Sequence, residues 1–497
     1  MSSLTRLSCS LVSFDSIINL IYGLIASYVL WNVYTVITSP LYSVPGPFLS
    51  RWTDLHVRLR LLNGSKARYV HSLHEKYGSV IRLGPNAVDV SDPGGVREIH
   101  KARSGYLKDP NFYVGARVRS VFSALDPAFH AQRRRLLGPC FAEASLANLE
   151  PAVLERARLA ILKMKQEMTT VGCSDILHWW TLFAMDVISE LCFGESFRLL
   201  EEGKKNQYAE DIAEMGSLLP LRGAFPWLIW GAGYLPFVKT FNNVALTRLR
   251  VVAYGAQRTE DYLRLVENNP GGAQRTLFSN LVKGGSLKTA LSPEDLTSES
   301  QSYITAGTDT TAITLTYLIY AVTRDNTVQT KLLKEMENLP DDFTHLHVRD
   351  LPYMNLVIEE TLRLYGASQG SLPRIVPREG GSFLGHFIPG GTIVSTQNYS
   401  LHRDKRAFPD AERFDPSRWE NPSDEAKNTF MPFGLGPRNC IGLNLARMEL
   451  RLCAALFFKE FPTARLSSMH GMSDLDMESQ INFLLVPKGH RCLIEVS

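Results

Sequence analysis

The decapeptide Phe433-Gly434-Leu435-Gly436-Pro437-Arg438-Asn439-Cys440-Ile441-Gly442 sets five residue types at fixed spacing, Phe-x-x-Gly-x-Arg-x-Cys-x-Gly, just before an apolar helical stretch. A cysteine at such a junction is placed to serve as an anionic ligand. The turn containing Gly436 and Gly442 lets backbone come close to a flat cofactor. The unpaired amides and positive end of the following helix favour thiolate over thiol. A buried structural cysteine beside a Gly-rich turn is the alternative reading.

The stretch resembles the cysteine-ligand loop of the cytochrome P-450 family, and the likeness runs from the proline-rich segment near the N-terminus to the last strands. It implies a mainly α fold with a smaller β region, the cytochrome P-450 fold, preceded by an N-terminal transmembrane helix. It also implies haem b with Cys440 as axial iron ligand, wrapped by Phe433, Gly436 and Gly442. A thiolate ligand pushes electron density onto the iron and favours O–O cleavage.

Working outward, Ser292-Pro293-Glu294-Asp295 is a helix start, with a capping serine, proline at the first position and acids in the first turn. The helix it opens extends to about Arg324, and Ala306-Gly307-Thr308-Asp309-Thr310-Thr311 lies mid-way along it. An interior glycine costs about 1 kcal/mol and neighbouring hydroxyls compete for backbone bonds, so this is a place for the helix to open. A Thr-rich packed helix is the other reading. The resemblance makes Thr310 the hydrogen-bond partner of oxygen and Asp309 a relay for the protons that oxygen reduction consumes.

Glu360-Thr361-Leu362-Arg363 puts opposite charges on one helical face. Glu155 and Arg158 share that spacing and read as a solvated face. Because Glu360 and Arg363 precede Phe408-Pro409-Asp410-Ala411-Glu412-Arg413-Phe414, the resemblance joins Glu360, Arg363 and Arg413 in a structural ion-pair network behind the cysteine loop. The haem carboxylates need cationic partners. The resemblance offers Arg438, Arg374, and the helical pair His130 and Arg134. The run Arg133-Arg134-Arg135 also reads as an exposed basic face, and Arg133 and Arg135 suit docking of an acidic electron donor.

No charge occurs between Asp15 and Arg51, and residues 17–38 are apolar enough to span a bilayer. Tyr28, Trp31 and Tyr34 continue to the end of that run and favour a retained anchor over a cleaved signal peptide. Arg51, Arg58, Arg60, Lys66 and Arg68 follow the span, against Arg6 before it, which keeps the catalytic part in the cytosol. The domain plan is therefore 1–38 anchor segment, 39–50 a stiff, non-helical proline-rich hinge, and 51–497 one catalytic domain. The resemblance places it at the endoplasmic reticulum membrane as a single-pass protein. A second apolar stretch, residues 217–238, is broken by Pro220, Pro226 and Pro236 and reads as a lid touching the membrane or as a buried loop.

Residues 80–83 and 87–90 form a hairpin; 150–168, 175–193 and 241–267 are helical; 392–396 is a strand; and 482–486 pairs with 492–496 around Pro487-Lys488-Gly489. A net charge of +3 gives no argument for nucleic acid as a partner. Seven scattered cysteines suit a reducing, cytosol-facing compartment. No Gly-x-Gly-x-x-Gly nucleotide fingerprint occurs, so electrons arrive from a partner, by resemblance an NADPH-dependent flavoprotein reductase. The implied reaction is monooxygenation of a lipophilic small molecule with O2, hydroxylation or epoxidation, in secondary-metabolite biosynthesis. Sterol or fatty-acid hydroxylation, a haem-thiolate isomerase or dehydratase, and a non-catalytic haem sensor are the rivals. Pocket candidates are residues 112–122, 215–238, 368–372, Tyr303 and Ala306.

Overall fold

The computed structural model describes residues 14–113, 119–228, 239–269, 275–283, 286–287 and 291–496. Its main helices are α1 (Phe14–Ile37), α2 (Leu55–Leu62), α3 (Lys66–Tyr77), α4 (Pro93–His100), α5 (Pro127–Leu137), α6 (Glu150–Val171), α7 (Ile176–Phe193), α8 (Lys239–Asn268), α9 (Pro293–Thr323), α10 (Asn326–Met336), α11 (Pro352–Tyr365) and α12 (Leu443–Glu460). The strands that matter for the site are β1 (Val80–Gly84), β2 (Ala87–Val90), β3 (Leu107–Lys108), β4 (Ser174–Asp175), β5 (Arg374–Ile375), β6 (Ile393–Ser395), β7 (Ala464–Leu466), β8 (Ser479–Ile481), β9 (Leu485–Pro487) and β10 (Leu493–Val496). Helix predominates, with several small sheets.

The long helix α9 is set by its start. Ser292 Oγ accepts the Asp295 N–H at 3.1 Å while Asp295 returns the favour to the Ser292 N–H at 3.2 Å, a closed capping box. α9 then crosses the core, buried against α7, α8, α11 and α12. Gly307 faces α7, where a Cβ would meet Ile188 Cγ1 at 3.4 Å, an ordinary van der Waals contact. The helix is continuous through Gly307, so the expected opening is absent. The hydroxyls of Thr305, Thr308, Thr310 and Thr314 donate to the carbonyls four residues back, which keeps them inside the helix instead of breaking it.

The main sheet runs β1-β2-β6-β5-β3. The predicted hairpin is its first pair, with Val80 opposite Val90, and β6 joins β2 in parallel. At the far edge β3 pairs antiparallel with β5, which sets Lys108 opposite Arg374. The expected closing hairpin is corrected. β9 turns back on β8, whereas β10 is the middle strand between β7 and β4. Ala464 therefore faces Val496, a partner far back in sequence that local turn signals do not reveal.

Among the described residues two apolar helices are long enough to cross a bilayer, and burial separates them: 6% of Ile18–Ile37 is buried against 83% of Ile176–Phe193. The second is the core helix α7. The proline-rich segment is not a free spacer. It folds into 3-10 turns at Pro40–Ser43 and Phe48–Arg51 and docks on β1, with Leu41 and Val44 buried and the Arg82 N–H donating to the Pro45 carbonyl at 2.7 Å.

Candidate haem-thiolate site

The cysteine loop is held from both ends. The Cys440 N–H donates to the Phe433 carbonyl at 2.8 Å, closing the turn, and the Arg134 guanidinium donates to the carbonyl and side-chain oxygen of Asn439 at 2.8 Å each. Arg447 lies over the Phe433 ring at 5.6 Å. Gly436 has φ +65° and a Cβ there would run into the His100 carbonyl, so this glycine lets the loop dock on the end of α4. Gly442 is the residue before α12, and its N–H is directed at the Cys440 sulfur.

Cys440 is exposed, while the other described cysteines (Cys140, Cys173, Cys192, Cys453 and Cys492) are buried. It is nevertheless deep: desolvation is the largest influence and raises its pKa, opposed by the Gly442 N–H and the Arg134 charge. A sulfur both deep and accessible lines an internal space. The Gly442 N–H favours thiolate as expected of the amides at the helix end, but burial outweighs it; a bound metal ion deprotonates a coordinating thiol outright.

Asp309 shows the same combination, an accessible side chain whose carboxyl is raised by burial and lowered by Lys205. Next to it, Thr310 Oγ donates to the Ala306 carbonyl at 2.7 Å. Thr311 Oγ crosses instead to Glu449 Oε2 on α12 at 2.8 Å, tying α9 to the helix that follows the cysteine. Burial pushes Glu449 up to about 8, partly offset by the Thr311 hydrogen bond. Glu449 was not foreseen, although a single acid inside the apolar run of α12 was its signal.

The cations expected for the haem carboxylates converge from three elements. Arg438 donates to the Ala124 and Leu125 carbonyls at 2.6 and 3.3 Å, and Arg374 to the Tyr113 hydroxyl at 2.8 Å. Lys108, unmarked by any motif, joins them beneath the Tyr113 and Phe122 rings. His130 is buried among them and, by burial and then by Arg438, Lys108, Arg134 and Arg374, its ring is pushed down to about 3. It is thus a neutral donor, not a cation. Arg133 leaves the basic face altogether: it is buried and pairs with Asp295 at 2.7 Å, while Arg135 stays exposed. A deep, accessible sulfur beside cations that make no ion pair among the described residues fits an iron porphyrin carrying two carboxylates.

Glu360 and Arg363 form the expected pair at 2.8 Å, both side chains 0% exposed. The third member is corrected. Arg418, not Arg413, reaches Glu360 at 2.9 Å, and Trp419 Nε1 donates to the same carboxylate at 3.0 Å. Arg413 contributes its backbone carbonyl to Arg363 and Arg418, and its side chain is exposed. The signal missed was Pro416-Ser417-Arg418-Trp419, a second arginine just downstream. Tyr303 is also core and not pocket, packed against Phe141 at 5.2 Å and Phe278 at 6.1 Å. Residues 114–118 and 229–238 of the pocket candidates lie outside the described residues.

The family model described as Cytochrome P-450 matches residues 45–494. The chain belongs to the cytochrome P-450 family. It is 43% identical to Cytochrome P-450 monooxygenase tazI of Aspergillus terreus, over 94% of this chain and 96% of the relative. Cytochrome P-450 monooxygenase orf2 of Aspergillus niger is 40% identical over 93% and 94%, and Cytochrome P-450 monooxygenase stcB of Emericella nidulans 36% over 92% and 89%. The chain is thus a cytochrome P-450 monooxygenase, and its family implies a haem-iron cofactor.

Proposed function

We propose that this enzyme inserts one oxygen atom from O2 into a lipophilic fungal secondary metabolite by hydroxylation or epoxidation, with electrons from an NADPH-dependent flavoprotein reductase. The observation that carries this reading is the Cys440 sulfur, accessible yet strongly desolvated, in a loop that Arg134 and the Gly442 N–H hold around it. Haem b, bound through Cys440, supplies the activation of oxygen and the oxidising step. Arg438, Arg374 and His130 hold its carboxylates, and Arg134 holds the loop through Asn439. Gly442 directs its N–H at the sulfur and so tempers the ligand. Asp309, raised by burial, would hold a proton and pass it toward the Thr310 hydroxyl, which donates to the Ala306 carbonyl of its own helix.

α1 anchors the enzyme in the endoplasmic reticulum membrane with the single catalytic domain, residues 51–497, in the cytosol. The anchor reading gains from an adjoining apolar surface. Leu55 and Leu59 on α2 and Leu219, Trp227 and Leu228 are exposed, and Arg58 ties the two segments by donating to the Ala224 carbonyl at 2.7 Å. Exposed Arg135 remains available to an acidic donor.

The decisive test is the ferrous carbon monoxide complex of the purified protein together with NADPH and oxygen consumption beside a generic reductase. A thiolate-type Soret band and coupled use of both, with hydroxylated product from a lipophilic panel, are expected. Cys440→Ser abolishes all three. A myoglobin-type band, or turnover without NADPH, would overturn the reading in favour of a sensor or an isomerase.

A further inference from the structure

Glu299 lies on α9 about three turns before Thr310 and on the same side of that helix. Its side chain is 1% exposed, and both carboxylate oxygens accept the Val121 N–H, at 3.0 and 3.2 Å. Arg133 on α5 stands beside it, pairing with Asp295 at 2.7 Å and leaving its Nε 3.9 Å from the Glu299 carboxylate. Burial pushes Glu299 up to about 7, opposed first by the Val121 N–H and then by the Arg133 charge. A buried acid is costly to keep, and this one directs both oxygens at a single backbone amide 178 residues away in the chain.

The segment that receives this bond turns one ring outward. Val121 and Ala124 are buried, whereas Phe122 between them is half exposed. The Phe122 ring meets Tyr113 at 5.5 Å and Phe483 at 6.5 Å, and Phe112 closes the group at 4.8 Å from Tyr113 and 5.3 Å from Phe483. Three stretches that are separate in the chain thus share one aromatic wall, and none of its rings comes from α9. The segment is held through its carbonyls by Lys108, which donates to Phe122, and by Arg438, which donates to Ala124 and Leu125. At Val121 it is held by Glu299, from the helix that also carries Asp309 and Thr310. One rigid element therefore sets both the threonine and the wall.

We propose that Glu299 is a positioning residue for substrate: through the Val121 N–H it locks residues 121–125 to α9 and so fixes the distance of the Phe122 ring from the reacting centre. The proposal rests on the haem-thiolate reading.

The test uses the holoenzyme as parent, Glu299→Leu, Glu299→Gln and Phe122→Ala, titrated spectrally with imidazole and with 4-phenylimidazole. Both ligate ferric haem iron through nitrogen, and the second carries a ring that reads the wall. Loss of the held amide predicts that Glu299→Leu weakens 4-phenylimidazole about tenfold and imidazole less than about twofold. Glu299→Gln, which keeps an acceptor for the Val121 N–H, is expected to restore the parent value within about twofold. Added to Phe122→Ala, which itself weakens 4-phenylimidazole, Glu299→Leu should cause little further loss. Should Glu299→Leu fail to fold, Glu299→Asp, which keeps the charge beside Arg133 but withdraws the carboxylate by one methylene, carries the same comparison. Unchanged or tighter 4-phenylimidazole binding overturns the proposal, as does an equal loss for imidazole, which marks general damage to the pocket, or a loss that simply adds to that of Phe122→Ala. A thiolate-type carbon monoxide spectrum in every variant shows that the underlying reading stands whichever way Glu299 falls. A myoglobin-type spectrum in the parent overturns that reading, and the proposal with it.

Discussion

Thr310 and Thr311 are neighbours with different duties. Thr311 is spent on Glu449, whereas the Thr310 hydroxyl is bonded only to a carbonyl of its own helix at 2.7 Å, an arrangement a rotamer change can exchange for another acceptor. Thr310→Ala is therefore expected to keep haem and stability but to lower product formed per NADPH on the order of tenfold, with hydrogen peroxide released in its place. Quantifying product and peroxide against NADPH consumed checks this, and unchanged coupling removes Thr310 from proton delivery. At this scale the sequence was readable where a residue sits in a spaced motif, as Cys440, Asp309 and Thr310 do. Lys108 had no such mark. Its meaning comes from standing across a strand pair from Arg374, a position 266 residues away in chain numbering, which no local pattern encodes.

Elements were legible wherever their own residues decide them. Ser292 and Asp295 define the start of α9 because capping is a bond between residues three apart, and the β1–β2 hairpin follows from Gly84-Pro85-Asn86. Partners between elements were not. The arginine that completes Glu360 belongs to the turn at Pro416–Trp419, where Arg418 also donates to the Pro409 and Arg413 carbonyls. Two arginines five residues apart present the same chemistry to a reader of sequence, and only packing tells which one points inward. Arg418→Ala leaves a fully buried Glu360 carboxylate short of a partner and is expected to lower unfolding free energy by about 3 kcal/mol. Arg413→Ala, which keeps the carbonyl that Arg363 and Arg418 use, should cost less than about 0.5 kcal/mol. Denaturant unfolding of the two variants compares them directly, and equal losses would return Arg413 to the network.

On the scale of the whole molecule, the exposed apolar residues of α2 together with Leu219, Trp227 and Leu228 form a surface outside the anchor segment, its two parts tied by Arg58. Protein lacking residues 1–38 is expected to keep sedimenting with phospholipid vesicles, and Leu59→Ser with Leu219→Ser and Trp227→Ser to release it to the supernatant. Sedimentation of the truncated protein without those substitutions decides whether the surface holds a membrane by itself; a fully soluble truncated protein would leave α1 as the sole attachment. What the sequence determined alone was the family, through the loop around Cys440, the long helix with its acid-threonine pair, and the exposed apolar run near the N-terminus, because each depends on residues close together in the chain. Which arginine braces Glu360, which glycine faces His100, and why Lys108, Arg374 and Arg438 come together were decided by tertiary structure, because burial and charge act through space between groups that the chain keeps far apart.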